Sequence, residues 1–241
     1  MTSNSSPAPS DKADKSTQPI GRRFAQIGIL IVVYALLLFG AAGRLDWGAG
    51  WAYMALYLAF IALNGILLLP GRRELIAERG RVAPNTQRWD LVLAALYTVI
   101  GPAILVVGGL DQRFGWSASL APAAPVIAGF VMALGYGLFS WAMASNPFFS
   151  TVVRIQTDRG HTVFTGGPYR FVRHPGYAGG LVLTLATPFL LGSWPALIPT
   201  LALVVILVVR TILEDRTLHR ELPGYAEYAG RVRYRLIPGI W

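Results

Sequence analysis

The residues best suited to chemistry lie in one stretch, residues 161–177, which reads HTVFTGGPYRFVRHPGY. It holds two of the three histidines in the chain, together with arginine, threonine and tyrosine side chains and a Gly-Gly-Pro turn. Apolar stretches flank it on both sides. Polar groups at the edge of a bilayer are costly unless they find a polar partner. The stretch is therefore predicted to bind a polar ligand.

A second candidate is the pair Arg210 and Glu214, at the point where the last apolar stretch leaves the membrane. Residues four apart share a face of a helix. Ionisable residues at such a depth are candidates for function. The same pair could also be an ordinary ion pair, worth about 0.2–0.5 kcal/mol when exposed. These two residues alone leave both interpretations open.

Other kinds of site do not fit the residues. The chain has no cysteine, which removes disulfides and thiolate chemistry. His161 and His174 lack a carboxylate at ligand spacing and no HExxH is present, so a metal site is not expected. Gly166-Gly167-Pro168 is neither a Walker loop nor a dinucleotide-binding turn. The formal charge of +9 is carried by dispersed basic residues, so nucleic-acid binding is not expected either.

The composition indicates that membrane helices must position these residues. The chain is 54% hydrophobic and 14% charged, whereas soluble domains carry roughly 25% charged residues. Crossing a bilayer takes about 20 apolar residues in a helix. Six apolar stretches are predicted to cross: Phe24–Gly43, Trp47–Leu69, Leu91–Leu110, Pro122–Met143, Gly176–Leu191 and Pro195–Val209.

The predicted fold class is an all-α integral membrane protein with about six transmembrane helices. The last two form a short hairpin, followed by a cytoplasmic helical segment at the C-terminus. The hairpin is expected to pack against the earlier helices, with Gly176, Gly179 and Gly180 allowing close approach. Three regions are predicted: a disordered tail at 1–22, transmembrane helices one to four at 23–145, and a catalytic half with the hairpin at 146–241.

The basic residues predict the orientation of the chain in the membrane. All of the 21 lysines and arginines except Arg44 and Arg113 fall before span one, between spans two and three, between spans four and five, or after span six. By the positive-inside rule, both termini and the polar stretch are predicted to lie in the cytoplasm. The membrane is expected to be a bacterial inner membrane. Residues 71–88 are predicted to be a solvated connector, with a short amphipathic helix as the alternative.

Three motifs in order resemble a known family: GGPYRFVRHPGYAGG, an Arg-x-x-x-Glu-Asp about forty residues later, and ELPGYAEYAGRVRYRLIPGIW. The pattern is similar to the isoprenylcysteine carboxyl methyltransferases, integral-membrane enzymes to which phospholipid N-methyltransferases are related. The resemblance covers roughly residues 145–241. It implies S-adenosylmethionine as cofactor, in a pocket facing the cytoplasm. It also implies a lipophilic small molecule or lipid as substrate, reaching the pocket from the bilayer.

The resemblance also implies roles for single residues. Arg210 would lie near the methyl-accepting group and orient an anionic acceptor, and the family commonly has a second glutamate where this chain has Asp215. An amine or thiol acceptor would need a base, for which His161 and His174 are the candidates. The positions matching the family's cofactor contacts are Gln156, His161, Thr162, Val163, Phe164, Tyr169, His174, Pro175, Gly176, Tyr177 and Glu214.

Structural roles, and not catalytic or ligand-binding ones, are predicted for several neighbouring residues. Tyr225 and Tyr228 are expected to pack on a C-terminal helix, and Arg173 could pair with Glu214 or Asp215. Arg231, Arg233 and Arg235 are expected to contact lipid headgroups.

Two other functions stay open. The C-terminal pattern R-x-x-Y-R-x-I-P also resembles sterol reductases that bind a nicotinamide cofactor, and the chain could be a non-catalytic membrane scaffold.

Overall fold

A computed structural model describes residues 17–70, 85–118 and 121–241, with side chains from residue 21 onward. Within these ranges the chain is all-helical and has no strand. Two 3₁₀ turns, Thr157–Arg159 and Gly167–Arg170, lie in the polar stretch. The seven α-helices are α1 Thr17–Ala42, α2 Gly48–Leu68, α3 Arg88–Phe114, α4 Ala123–Ser145, α5 Pro175–Leu191, α6 Leu197–Glu221 and α7 Tyr225–Arg231.

Five helices are long and apolar enough to cross a membrane: residues Gly21–Ala42 of α1, and α2, α3, α4 and α6. Helix α5 is apolar but has only 17 residues. The all-helical membrane character predicted from the sequence is therefore confirmed, while the count of six spans and the transmembrane hairpin stay predictions. Helix α6 continues past Val209 to Glu221, so the polar residues after the predicted span lie on the same helix as the span itself.

Two predicted segments, the N-terminal tail and the connector, lie only partly within the described residues. Helix α1 begins at Thr17, so it includes residues 17–22 of the segment predicted as a disordered tail. Residues 1–16 lie outside the described residues, as do residues 71–84 of the predicted connector. The last residues of that connector, from Asn85 onward, lead directly into α3.

A close helix contact joins α4 and α5 through two glycines. A Cβ atom on Gly179 would lie 2.7 Å from the carbonyl oxygen of Gly135, and one on Gly135 would lie 2.8 Å from the backbone nitrogen of Leu183. A Cβ on Gly176 would meet the ring of Phe149 at 2.7 Å. Small residues let membrane helices approach this closely. The predicted close approach is thus found at Gly176 and Gly179. It is not found at Gly180, where a Cβ would have open space within 4 Å.

Buried apolar side chains hold the helices together in two main clusters. The larger cluster unites α1 to α5, with Leu38, Leu105, Met132 and Leu190 among its buried members. The second cluster joins α3 to α6 and the turn before it through residues such as Leu203. Helix α5 contacts both α4 and α6, and the ring of Phe149 lies against Gly176 in its first turn.

Candidate active site

The first turn of α5 is held by the C-terminal segment. The backbone N–H groups of Arg173 and His174 donate to the carbonyls of Tyr234 and Arg235, each at 2.9 Å. Pro175 follows as the first helical residue, where its missing N–H costs nothing. This pairing brings residues from the end of the chain to the start of α5, although they are far apart in sequence.

Asp215 is the centre of this region. Its side chain, on α6, is 1% exposed and accepts hydrogen bonds from four other residues. Arg173 donates through Nε at 2.8 Å and Nη2 at 3.1 Å. The Tyr225 hydroxyl and Arg235 Nε each donate at 2.9 Å, and His174 Nε2 lies 3.2 Å away. We call these five residues the Asp215 cluster.

The cluster sets the state of the His174 ring. A carboxylate only accepts hydrogen bonds, so the contact with Asp215 requires the proton to be on Nε2 of His174. In the neutral ring, Nδ1 is then the acceptor. The ring also stacks on Tyr177, with centroids 5.9 Å apart and planes 24° apart. Asp215 thus orients His174 in the manner of a carboxylate behind a catalytic histidine.

Tyr177 links three of the predicted site residues. Its ring faces His174, its hydroxyl donates to Oε2 of Glu214, and the guanidinium carbon of Arg210 lies 5.5 Å from its ring centroid. The structure therefore brings His174, Glu214 and Arg210 around one aromatic side chain. Among the described residues, the Tyr177 hydroxyl is the only hydrogen-bond partner of the Glu214 carboxylate, which also interacts electrostatically with Arg210.

Arg210 has a partner that the sequence prediction missed. Asp90, in the first turn of α3 and 0% exposed, binds Arg210 Nε at 2.7 Å and Nη2 at 3.1 Å. Nη2 also donates to the carbonyl of Thr151 at 2.7 Å, and the N–H of Val153 donates to Asp90 at 2.7 Å. Arg210 is therefore already paired on one side. An acidic residue in the first turn of an apolar helix was the signal that could have found Asp90.

A second group surrounds His161. The N–H of Gln156 donates to His161 Nδ1 at 3.3 Å, and the ring lies 4.5 Å from that of Phe148. Burial, with the charges of Arg154 and Arg159, lowers the pKa of His161 from 6.5 to about 4. His161 is therefore neutral at pH 7, with Nε2–H as its donor. The Gln156 side chain is buried and bonds to the Phe148 carbonyl and to Arg159.

A third group packs against α7. Val163 joins the apolar cluster of Tyr225 and Tyr228, and the Tyr228 hydroxyl donates to the carbonyl of Tyr169 at 2.6 Å. The rings of Phe164 and Tyr169 meet edge to face at 5.5 Å. Burial raises the pKa of Tyr225 and of Tyr228, and the Asp215 carboxylate adds to the shift at Tyr225. The predicted packing role of both tyrosines is confirmed.

Helix α7 joins the Asp215 cluster to the third group through Tyr225. Tyr225 belongs to the Asp215 cluster and also packs in the apolar cluster with Val163, while Thr162 is exposed between the groups. The predicted pairing of Arg173 with Asp215 is confirmed. Arg235 was expected at lipid headgroups but instead binds Asp215 and lies over the ring of Trp241. Among the described residues, no group of three or more His, Asp and Glu side chains could hold a metal ion.

The geometry offers one acceptor and two backbone donors that suit the charged groups of S-adenosylmethionine. Glu214 is a partly exposed anion that suits a cationic or hydroxyl-bearing group. The first internal bond of α5 runs from Ala178 to the His174 carbonyl, so the amides of Gly176 and Tyr177 precede it. Such amides at a helix N-terminus suit a carboxylate. The residues present therefore fit this cofactor.

Residues 127–220 match the model of the isoprenylcysteine carboxyl methyltransferase (ICMT) family. This range runs from α4 to the end of α6 and contains every predicted site residue. Over these residues the match confirms the resemblance predicted from the motifs, and it favours a membrane methyltransferase over the reductase alternative. A search of curated proteins finds no match to the chain.

Proposed function

We propose that this protein is a membrane methyltransferase that uses S-adenosylmethionine to methylate a small lipophilic acceptor. The observation that carries the proposal is the arrangement around Tyr177, which joins His174, Glu214 and Arg210 in one place. The family match over residues 127–220 supports the reaction class. When bound, the cofactor supplies a methyl group on a sulfonium centre.

Glu214 is the anchor for the cofactor in this proposal. Opposite charges about 4 Å apart attract by roughly 4 kcal/mol at an effective dielectric of 20, before desolvation is subtracted. The Tyr177 hydroxyl orients the carboxylate, and the amides of Gly176 and Tyr177 receive an anionic group at the start of α5. Pro175 fixes the backbone that presents these amides.

The residues before α5 complete the cofactor side of the site. His161 contributes a neutral N–H donor, while Thr162, Val163, Phe164 and Tyr169 provide a hydroxyl and apolar surfaces beside α7. The buried amide of Gln156 is bonded within the protein. We therefore assign Gln156 to holding the loop around His161, so that it acts on the cofactor through that residue.

The acceptor is bound between Arg210 and His174. Because Asp90 already takes Nε and Nη2 of Arg210, an anionic acceptor would be held through Nη1, which donates to none of the described residues. A carboxylate acceptor needs no base, so alignment would supply most of the rate, up to about 7–11 kcal/mol. An amine or thiol would lose its proton to Nδ1 of His174. The other ring nitrogen, Nε2, donates its hydrogen to Asp215.

The membrane arrangement belongs to the same proposal. Helix α5, at about 1.5 Å per residue, is shorter than a hydrocarbon core of about 30 Å. We place it with α6 as a hairpin whose open end faces the cytoplasm, where the arginines of this region lie. A lipophilic acceptor would then reach the site from the bilayer.

Calorimetry of the purified full-length protein with S-adenosylmethionine tests the proposal. We expect binding to the wild type, and affinity lower by about 10- to 150-fold in Glu214→Gln, because a hydrogen bond to a charged group contributes about 1.5–3 kcal/mol. Glu227→Gln, at an exposed position on α7, is the matched control and should bind as the wild type does. Absence of binding to the wild type, or equal affinity in both variants, would overturn the assignment.

A transfer assay identifies the acceptor. The wild type with methyl-labelled cofactor and a lipid extract should yield a labelled apolar product. Transfer to an amine or thiol should depend on the ring of His174 as the base, whereas transfer to a carboxylate should not. Label recovered only in protein or in water-soluble products would refute a lipophilic acceptor.

A further inference from the structure

The C-terminal segment forms an open groove that lies apart from the candidate active site. Its volume is about 330 Å³, within the range of about 300–1,000 Å³ typical of small-molecule sites. None of its lining residues is among the predicted site residues. Three arginines and two aromatic residues form most of its wall: Arg170, Arg231, Arg233, Phe171 and Tyr234. We call it the basic groove.

The charge of the basic groove is positive. Among the described residues no carboxylate lines it, and the acidic contact of its arginines is Glu227, whose oxygen lies 3.9 Å from Arg231 in an exposed pair. Such exposed pairs contribute little and leave the arginine available. Arg170 lies over the ring of Phe171, at 4.8 Å from its centroid, which fixes one wall of the groove. The groove therefore suits an anion.

Exposed apolar side chains surround these arginines. Phe171 is 53% exposed and Ile240 is 77% exposed, with Ile237 and Tyr234 also open to the surroundings. Arginines beside exposed aliphatic and aromatic side chains are typical of a surface at the headgroup level of a membrane. The groove also adjoins the first turn of α5 and the segment after α6, where two apolar helices end.

We infer that the basic groove binds the phosphate of an anionic phospholipid headgroup, with Arg231 and Arg233 as its main contacts. Arginine matches phosphate because its planar group donates two parallel hydrogen bonds. Phe171 and Ile240 would then lie among the upper acyl chains. A freely dissolved phosphate would gain nothing from these apolar side chains, so the lipid is the favoured occupant.

The groove is connected to the candidate active site through its backbone. Arg173 Nη1 donates to the carbonyls of Val232 and Arg233, at 3.0 and 2.8 Å, and its backbone N–H donates to the carbonyl of Tyr234. The same guanidinium holds Asp215. A lipid that fixes residues 231–234 therefore also fixes the residues that hold the Asp215 cluster. Lipid binding should stabilise the folded protein.

Thermal unfolding of the full-length protein in a neutral detergent tests this inference. The test does not depend on whether the protein has the proposed enzyme activity. Dioctanoyl phosphatidylglycerol should raise the unfolding midpoint, and the same concentration of dioctanoyl phosphatidylcholine should raise it much less. The apparent affinity for phosphatidylglycerol should fall as sodium chloride is added. The double variant Arg231→Gln/Arg233→Gln should bind phosphatidylglycerol about tenfold or more weakly.

The matched control is Arg216→Gln/Arg220→Gln. It removes two exposed arginines from the end of α6, outside the groove, and should change the affinity by no more than about twofold. Should the groove variant fold poorly, Arg231→Lys/Arg233→Lys keeps the charge, loses the bidentate geometry and should bind with intermediate affinity. Equal weakening in groove and control variants, equal stabilisation by both lipids, or equal stabilisation by glycerol phosphate would overturn the inference.

Discussion

Replacing Asp215 with asparagine removes the anion on which four donor side chains converge. Arg173 is buried and Arg235 is half-buried, and both lose their carboxylate partner. The asparagine amide would also place an NH₂ group where only an acceptor fits. Removing one partner of a buried ion pair costs about 3–5 kcal/mol, because the remaining charge is left uncompensated. We expect a loss of this size in the free energy of unfolding.

Thermal unfolding of the purified protein measures this loss. For chains of 150–250 residues, a change of 1 kcal/mol shifts the midpoint by about 2–4 °C, so Asp215→Asn should lower it by roughly 6–20 °C. The control is Asp46→Asn, which breaks the ion pair with Arg44. That pair is 48% and 74% exposed at its two side chains. Exposed pairs contribute little to stability, so the control should unfold close to the wild type.

Equal midpoints for the two asparagine variants would refute the central role of Asp215. A double-mutant cycle with Arg173→Gln isolates the contact itself. Because the two residues share a bidentate contact, the double variant should be more stable than the sum of the single losses by about 0.5–3 kcal/mol. Additive losses would show that Asp215 acts through general packing and not through this ion pair.

Further predictions concern the ligand site, the helix contact and the loop. Tyr177→Phe keeps the ring but loses the hydrogen bond that orients Glu214, so calorimetry should show weaker S-adenosylmethionine binding, by no more than the roughly 1.5–3 kcal/mol expected for Glu214 itself; unchanged affinity would show that the hydroxyl does not orient the carboxylate. Gly179→Ala should destabilise the protein by about 1–3 kcal/mol in thermal unfolding, whereas Gly180→Ala should not; equal effects would contradict the close contact. The pKa of His161 falls from 6.5 to about 4 on folding, so the unfolded chain binds the proton more readily, and stability should decrease as the pH drops from about 6.5 to about 4. His161→Gln should show a smaller decrease over that interval, and identical pH profiles would contradict the shift.

The helices could be predicted from the sequence because the information for them is local. A run of about 20 apolar residues must form its backbone hydrogen bonds internally in a bilayer, and the helix is the local way to do so. The pairing of Arg210 with Asp90 joins residues 120 apart in sequence. It depends on how α3 and α6 pack, which the apolar pattern does not specify. The sequence therefore predicted Arg210 as a candidate residue but not its partner, Asp90.

Asp215 illustrates the same limit. In the sequence it was a mild replacement of a family glutamate beside the residue of interest, Glu214. Its partners come from the start of α5, from α7 and from the segment after α7. None of these distances follows from spacing along the chain. What the motifs did predict is which stretches of the chain form the site. The stretches that carry the family pattern are the ones that meet at this end of the helices.

The carboxylates at this end of the molecule divide into two kinds, and the division explains why Glu214 is the residue to test first. Asp90 is bound by Arg210, and Asp215 by Arg173 and Arg235, so the charge of each is compensated within the protein. Glu214 accepts a hydrogen bond only from the neutral hydroxyl of Tyr177 among the described residues, and it is partly exposed. Arg210 also interacts with this carboxylate, but Asp90 already shares the charge of Arg210, so Glu214 can attract a further cation. The sulfonium and ammonium groups of the proposed cofactor are cations of this kind, whereas an anionic ligand would have to bind on the side of Arg210 and the α5 amides.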